Sequence, residues 1–371
     1  MNTKMLSIIA VGAMLLVALG AVDVSAEDTG FDITDDTGTR VHYDAPAERL
    51  IMNGTGSVLT VADAGAVDKI VAVDKYATYE YTGYEQLRDL DAEDLGSFYG
   101  TTNHDYIEAT ILNLVSEGKF SYDDTIILTA YTSNEQLRER LLEDGFKNVL
   151  VWTTESVGTY DDIVSFVEDV TMIATGEKAD SVQGMHDSID LVTGTTANVP
   201  DDGRAKALSV WYSSSAGLQI NNIGIANSMI ELCNAENIGY DPNGGTRYGD
   251  ENAIISLLGE NPGTVIFLPS SWASAGFTVE DFVDDVLNGS TGYTVIQMGA
   301  LWNNYCPESA DGLVEMAKAL YPELFGIDGG DTANDGSSGD SGSDIVLWAA
   351  AIIVAIIIAV AAYAVFKRTH R

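Results

Sequence analysis

The chain has 371 residues, of which 56 are acidic and 18 are basic, so its formal net charge is -38 at pH 7. A negative field of this size argues against nucleic acid and anionic lipid as partners, and it favours a neutral or cationic small ligand over an anionic one. A saline habitat would explain the same composition, and the sequence does not separate the two explanations.

The two cysteines, Cys233 and Cys306, lie in the second half of the chain. An even number of cysteines in an exported chain permits one disulfide, and two separately buried thiols are the alternative. Both alternatives stay open.

Both ends of the chain carry apolar segments. In residues 1–26 an apolar run precedes a small-residue cleavage site, which predicts a secretory signal peptide. Residues 345–366 form an unbroken apolar run of 22 residues, long enough for a transmembrane helix, and the basic residues 367–371 predict a cytoplasmic tail. Residues 327–344 are an acidic Gly/Ser-rich linker. We therefore expect a single-pass cell-membrane protein whose N-terminal domain is extracellular.

The first half of the extracellular part, residues 27–159, alternates strands and helices as an α/β lobe does. The strands are short aliphatic runs, and glycines end the helices. The predicted elements are strands over 50–52, 70–73, 125–129 and 149–152 and helices over 57–64 and 134–142.

Residues 160–199 are predicted to be helical and to connect the two halves. Apolar residues such as Val182, Met185 and Ile189 recur at spacings of three and four, and the pattern breaks near Gly176. An ordinary core helix is the alternative.

Strand and helix patterns alternate again in residues 200–326, which predicts a second α/β lobe. The predicted elements are strands over 207–211, 264–268 and 293–297 and helices over 226–232, 279–287 and 309–320. The predicted fold is therefore two Rossmann-like α/β lobes bridged by a long helix, followed by one C-terminal transmembrane helix.

No motif in the sequence specifies catalysis. The loop before the first helix contains Gly54-Thr55-Gly56, but Leu59 stands where a dinucleotide fingerprint needs a third small residue. There is no Gly-x-Ser-x-Gly motif, and the histidines are too widely spaced for a metalloenzyme motif. We therefore expect no enzyme activity, no catalytic residue, no resident metal and no cofactor. We also expect His104 to be a solvated residue of a polar loop.

Aromatic residues fall at predicted strand ends and in the turns after them, where they could line a cleft. For half of these aromatic residues, the alternative to lining a cleft is that they cap the cores of the lobes. A rare arginine lies in the glycine-rich segment 244–249 and is predicted to contact ligand. The predicted ligand-binding residues are Thr55, Tyr99, Tyr131, Trp211, Tyr212, Arg247, Trp272 and Trp302.

Two asparagines, Asn53 and Asn288, lie in Asn-x-Ser/Thr sequences that can accept glycans in exported proteins. A glycan on Asn53 would crowd the predicted cleft. We therefore expect Asn53 to carry no glycan.

Several segments resemble the class III substrate-binding proteins of ABC importers. Residues 31–41 (FDITDDTGTRV) and 45–51 (APAERLI) resemble the opening strand and the Pro-Arg-Ile segment of that family, and residues 56–74 resemble the helix and strand that follow. Residues 254–268 resemble the lead-in to a strand of the second lobe, and residues 317–325 resemble the closing helix with its Pro-Glu-Leu-Phe end. The resemblance covers nearly the whole extracellular part.

The resemblance implies two lobes that hold a metal chelate between them and deliver it to a membrane permease with its ATPase subunits. The chelate would be a ferric siderophore, cobalamin or haem, and only haem would need an iron ligand, for which a tyrosine or His104 is a candidate. Glu108 and Glu251 would each dock on the permease. The C-terminal span in place of a lipid-modified cysteine resembles archaeal surface anchors. The alternative is a surface protein of the same fold with an enzymatic, adhesive or sensing role.

Overall fold

The computed structural model describes residues 30–129, 132–153 and 158–326. They form a mixed α/β fold with two central sheets and a small two-stranded sheet. The strands are β1 (Phe31–Thr34), β2 (Arg40–Tyr43), β3 (Leu50–Met52), β4 (Ile70–Val73), β5 (Glu93–Asp94), β6 (Thr125–Thr129), β7 (Asn148–Trp152), β8 (Lys206–Ser213), β9 (Gly217–Asn221), β10 (Glu236–Asn237), β11 (Arg247–Tyr248), β12 (Val265–Leu268) and β13 (Thr294–Gln297). The α-helices are α1 (Thr55–Asp63), α2 (Tyr79–Thr82), α3 (His104–Ser116), α4 (Ser133–Glu143), α5 (Tyr160–Thr175), α6 (Asp180–Thr196), α7 (Ile225–Leu232), α8 (Glu251–Glu260), α9 (Ser270–Ser274), α10 (Val279–Asp281) and α11 (Ser309–Leu320).

The first central sheet has the strand order β5-β4-β3-β6-β7, and every pairing in it is parallel. Its middle strands β3 and β6 are buried along their whole length, because helices cover both faces of a parallel sheet. This burial explains why these strands read in the sequence as uninterrupted apolar runs. We call the part built on this sheet, residues 30–153, the N-terminal lobe.

The second central sheet has the strand order β11-β9-β8-β12-β13, and β10 pairs with β8. The pairings of β12 with β8 and β13 are parallel, whereas β9 is antiparallel to both β8 and β11. A turn between Ser213 and Gly217 joins β8 to β9, and Gly217 has a φ of 70°. The strands predicted from the sequence do not include β9, so this antiparallel edge is an addition to the prediction. We call the part built on this sheet, residues 200–326, the C-terminal lobe.

Two helices rather than a single long one connect the lobes. Helix α5 begins with a capping box between Thr159 and Asp162 and ends at Gly176, whose left-handed conformation has a φ of 80°. Helix α6 follows after a short turn. The predicted break near Gly176 is thus present, and α5 packs against α1 while α6 packs against α11.

The hydrophobic core has one cluster in each lobe and a third cluster that both lobes share. The shared cluster includes Met52 of the first sheet, Val167 of α5 and Leu313 of α11. Since the connecting helix α5 contributes to this shared core, the two lobes are packed on a common apolar layer.

Both cysteines belong to the shared core as separate free thiols. The structure therefore matches the alternative of two separately buried thiols, and the possible Cys233–Cys306 disulfide is not formed. Burial raises the pKa of both thiols well above its ordinary value, and for Cys306 the neighbouring Glu308 carboxylate adds to the increase.

Within the described residues, no helix combines the length and the apolar character that a membrane span requires. Four predicted segments lie outside the described residues: the signal peptide (1–26), the linker (327–344), the transmembrane helix (345–366) and the cytoplasmic tail (367–371).

Candidate functional site

A cavity of about 310 Å³ lies where the carboxyl ends of strands from both lobes meet. Loops after β3, β6, β12 and β13 contribute to it, as expected for the ligand crevice of an open α/β sheet. The described residues that line it are Gly54, Thr55, Gly56, Ser57, Thr129, Trp211, Asn221, Ile223, Gly224, Ile225, Ala226, Thr246, Arg247, Pro269, Ser270, Ser271, Ala300, Trp302, Asn303, Asn304 and Tyr305.

Each lobe directs the start of one helix at this cavity. Gly54 precedes α1 and Gly224 precedes α7, each with a φ of 86°, and neither helix has a side-chain cap. Only glycine adopts such a backbone conformation at low cost. The first N–H groups of a helix have no acceptor within the helix, so both lobes present backbone donors beside the cavity.

Asn53 fixes the loop that leads into α1. Its amide nitrogen donates to the Thr129 carbonyl over 3.0 Å, its amide oxygen accepts from the Thr129 N–H over 2.7 Å, and the Thr129 hydroxyl donates to the Asn53 carbonyl over 2.8 Å. The side chain is fully buried. Asn53 thus ties β3 to β6, and its amide is inaccessible to a glycosylating enzyme.

A buried carboxylate, Asp74, lies beneath the same loop. It is 2 % exposed, and its Oδ1 atom has no hydrogen-bond partner. Burial raises its pKa to about 7, although hydrogen bonds from the N–H groups of Gly54 and Ala77 act in the opposite direction. The loop at the start of α1 therefore donates a hydrogen bond to a carboxyl group, that of Asp74, which changes its charge near neutral pH.

Arg247 and Trp211 form one wall of the cavity. The guanidinium carbon of Arg247 lies 4.0 Å from the centre of the Trp211 ring, a cation–π geometry. Arg247 pairs with Asn221 across the β11–β9 ladder, and Asn221 also lines the cavity. The backbone of this wall is therefore held by the sheet.

Trp302 and Tyr305 bring the loop after β13 against both lobes. Thr60 of α1 donates to the Tyr305 carbonyl over 3.0 Å, and a Cβ atom on Gly56 would lie 3.1 Å from the Tyr305 nitrogen. On the other side, a Cβ on Gly312 would lie 2.5 Å from the Trp302 carbonyl oxygen. Two glycines thus permit the close approach that places these aromatic residues at the cavity.

Of the predicted ligand-binding residues, the structure places Thr55, Trp211, Arg247 and Trp302 in the cavity lining. The Thr55 hydroxyl donates to the Tyr76 carbonyl over 2.8 Å. Tyr99 is 72 % exposed and is not among the lining residues. Tyr131 lies outside the described residues.

Tyr212 and Trp272 belong to an aromatic cluster of the C-terminal lobe and do not line the cavity. Their ring centres are 5.3 Å apart, and Trp272 stacks on Phe277 at 4.5 Å. The Trp272 indole donates to the Thr278 carbonyl over 2.8 Å. These contacts match the core-capping alternative for this pair.

The predicted docking glutamates differ in their surroundings. Glu251 is the exposed first residue of α8. Glu108 lies in the second turn of α3, forms an ion pair with Arg140, and has a side chain that is 22 % exposed. Arg140 also binds Asp105 at 2.7 Å.

The expectation that His104 is a solvated loop residue is wrong. His104 is the first residue of α3 and is 2 % exposed. Burial lowers its pKa, and the charge of Arg140 lowers it further. It is not among the residues that line the cavity.

Sequence reasoning missed most of the polar lining. The missed residues include the Gly224 helix start and the side chains of Asn221, Ser270, Asn303 and Asn304. The sequence did contain one feature that could have identified the Gly224 helix start: α1 and α7 both follow a strand that ends near an asparagine and a glycine. Among the described residues, no group of three His, Cys, Asp or Glu side chains could hold a metal ion.

No model of a protein family and no curated protein sequence matches this chain. Solved structures do match it. The Ni(II)-bound CeuE protein of Helicobacter pylori aligns with a TM-score of 0.55 at 17 % identity, over 80 % of this chain and 91 % of that one. The periplasmic vitamin B12-binding protein BtuF of Vibrio cholerae aligns with a TM-score of 0.53 at 18 % identity, over 75 % and 98 % of the two chains.

A protein of an ABC-type Fe3+-hydroxamate transport system from Saccharomonospora viridis aligns with a TM-score of 0.53 at 19 % identity, over 80 % of this chain and 99 % of that one. At these identities the likeness concerns the fold. The chain has the fold of periplasmic solute-binding proteins.

Proposed function

We propose that this chain is an extracellular substrate-binding protein, which holds a small ligand between its two lobes and delivers it to the permease of an ABC importer. The observation that carries the proposal is the polar cavity at the carboxyl ends of both sheets. The fold shared with periplasmic solute-binding proteins supports it.

The transported ligand is a metal chelate that supplies all the ligands of its own metal. This follows from the lining, which consists mainly of hydroxyl, amide and backbone groups that bind the outer oxygen atoms of a chelate. The cavity volume lies at the lower end of the roughly 300–1,000 Å³ that ligand sites usually have. A ferric siderophore fits this lining better than haem, whose iron would need a protein ligand.

The permease would contact one acidic residue from each lobe, Glu108 and Glu251. Glu251 is the stronger candidate because it is exposed, whereas Arg140 already neutralises Glu108. In cells, Glu251→Arg should abolish ligand uptake and leave ligand binding intact. Glu260→Arg, an exposed position at the other end of α8, is the matched control. Loss of binding in Glu251→Arg would contradict the docking role.

The segments outside the described residues complete the proposal. A signal peptide over residues 1–26 and a transmembrane helix over residues 345–366 would display both lobes outside the cell on the linker 327–344. Protease added to intact cells should then release the lobes into the medium. Protection of the lobes in intact cells would contradict this topology.

Calorimetric melting of the full chain tests the binding function. The probes are ferric citrate, ferrichrome, ferrioxamine B, hydroxocobalamin and haemin, each added in excess. A ligand at 100 times its dissociation constant adds about 2.7 kcal/mol to the free energy of unfolding, which is a shift of several degrees. If no probe shifts the melting temperature, the importer function is contradicted and a surface role without transport becomes the better account.

A further inference from the structure

Three hydroxyl groups in the part of the cavity wall that belongs to the N-terminal lobe have already used their only hydrogen. Thr55 donates to the Tyr76 carbonyl over 2.8 Å. Thr129 donates to the Asn53 carbonyl over 2.8 Å, and Ser57 donates to the same carbonyl. A carbonyl oxygen has no hydrogen to give, so the hydroxyl is the donor in each pair. All three hydroxyl residues line the cavity.

The C-terminal lobe has the same arrangement at Ser271. Its hydroxyl donates to the Tyr212 carbonyl over 2.9 Å, and Ser271 also lines the cavity. Ser271 and Thr55 are partly exposed, and the other two hydroxyl residues are buried. Each lobe therefore offers at least one partly exposed hydroxyl oxygen to the cavity.

These hydroxyl groups can only accept hydrogen bonds from a ligand. A hydroxyl has one hydrogen and two lone pairs, and here the hydrogen is committed to a backbone carbonyl. Turning the hydroxyl of Thr55 or Ser271 towards an acceptor on the ligand would break that bond. A ligand that covers these oxygen atoms also removes the water that could donate to them. A ligand without donors therefore leaves the oxygen atoms unsatisfied, which is unfavourable.

The backbone of the wall supplies the opposite kind of group. The N–H of Gly54 is bound by Asp74, but the first N–H groups of α1 and α7 themselves have no acceptor within their helices. Oxygen atoms of a ligand can use these backbone donors, while its N–H or O–H groups use the hydroxyl oxygens. No Asp or Glu is among the described residues that line the cavity, so the acceptors described here are neutral.

We infer that the cavity selects a ligand whose outer surface donates hydrogen bonds through N–H or O–H groups, over a ligand of similar shape that carries only acceptors. This inference rests on the proposed binding function and specifies the hydrogen-bonding character of the ligand. Because the acceptors are hydroxyl oxygens rather than carboxylates, the donors of the ligand need not be cationic. Thr55 and Ser271 are the residues that contact these donors.

Two matched metal complexes test this selectivity. The Cr(III) complex of three acetohydroxamate ions, which we call the N–H complex, is neutral and carries an outer N–H group on each ion. The N-methyl complex has a methyl group at each of these positions and no donor. Cr(III) exchanges its ligands slowly, so each probe stays intact during a titration. In isothermal titration calorimetry of the full chain, we expect the N–H complex to bind about tenfold more tightly, because the N-methyl complex leaves the hydroxyl oxygens without donors.

Variants of the two partly exposed hydroxyl residues separate hydrogen bonding from the size of the methyl groups. Thr55→Val and Ser271→Ala each remove an acceptor and should weaken binding of the N–H complex about threefold to tenfold, without weakening binding of the N-methyl complex. Thr55→Ser and Ser271→Thr keep the hydroxyl and should keep the preference. Ser274→Ala is the matched control, because Ser274 lies in the same helix as Ser271 and donates to the Ser270 carbonyl over 3.0 Å, but does not line the cavity.

The titrations distinguish failure of the inference from failure of the proposed function. Equal binding of the two complexes, or tighter binding of the N-methyl complex, would overturn the inference and leave the proposed function standing. The inference is also wrong if Thr55→Val and Ser271→Ala keep the full preference, or if they weaken both complexes equally. If neither complex binds, the inference fails, while melting with the five chelates named above decides the proposed function separately.

Discussion

Replacing Asp74 by asparagine should stabilise the protein above neutral pH and should change its stability little at pH 4. Asp74 is buried beneath the loop that begins α1, and its pKa is raised from 3.8 to about 7 because burial disfavours the charged form. The folded state therefore keeps a proton on this group between pH 4 and pH 7 that the unfolded state has lost. As the pH rises through this window, the free energy of unfolding falls.

The structure sets the size of the effect. A difference of about three pKa units between the folded and unfolded states corresponds to about 4 kcal/mol above pH 7. Asparagine removes the buried charge, and its one oxygen can accept the same N–H groups of Gly54 and Ala77, but its amide nitrogen would replace Oδ1 as a buried group without a partner, which costs about 1 kcal/mol. We expect Asp74→Asn to gain about 2–3 kcal/mol at pH 8, which raises the melting temperature by roughly 4–10 °C.

Thermal melting of the full chain at pH 4, 6 and 8 measures this effect. Asp44→Asn is the matched control, because the Asp44 side chain is 95 % exposed. Comparing each variant with the unmodified chain at the same pH removes the general repulsion among the many other carboxylates. If Asp74→Asn shifts the melting temperature equally at all three pH values, or lowers it at pH 8, the reasoning from burial is refuted.

Three further predictions concern the backbone and the exported state. Gly54→Ala should cost about 1–3 kcal/mol, measured by urea unfolding, because alanine is strained at a φ of 86°; an unchanged midpoint would contradict the backbone conformation. Cys233 and Cys306 should react with a thiol reagent only after unfolding, giving two thiols per chain without reductant; two unreactive cysteines in denaturant would indicate a disulfide. In a host that glycosylates exported proteins, mass spectrometry should find glycan on the exposed Asn288 and none on the buried Asn53, and a modified Asn53 would contradict its burial.

The parallel strands were predictable from the sequence, but the antiparallel edge of the second sheet was not. Strands β3, β4 and β6 have the predicted bounds because both faces of the first sheet are covered, which gives continuous aliphatic runs. Strand β9 alternates buried and partly exposed residues over only five positions, and it follows a serine-rich turn. A local pattern of this length does not distinguish an edge strand from a loop.

The site was predictable only in part, because a sequence does not show which way a loop side chain points. Trp272 and Trp302 both follow strands of the second sheet, yet Trp272 turns into the aromatic core of the C-terminal lobe and Trp302 lines the cavity. Trp272 is directed into the core by its position in the short helix α9. Trp302 can lie at the cavity because Gly312, which it contacts closely, has no side chain.

Tryptophan fluorescence tests the central claim, that ligand binds between the lobes, most directly. Trp211 and Trp302 line the cavity, whereas Trp272 does not. Titrating the full chain with whichever of ferric citrate, ferrichrome and ferrioxamine B shifts its melting temperature should produce saturable quenching that is lost in the double variant Trp211→Phe/Trp302→Phe and kept in Trp272→Phe. Quenching that survives in the double variant but disappears in Trp272→Phe would place the ligand elsewhere and contradict the account.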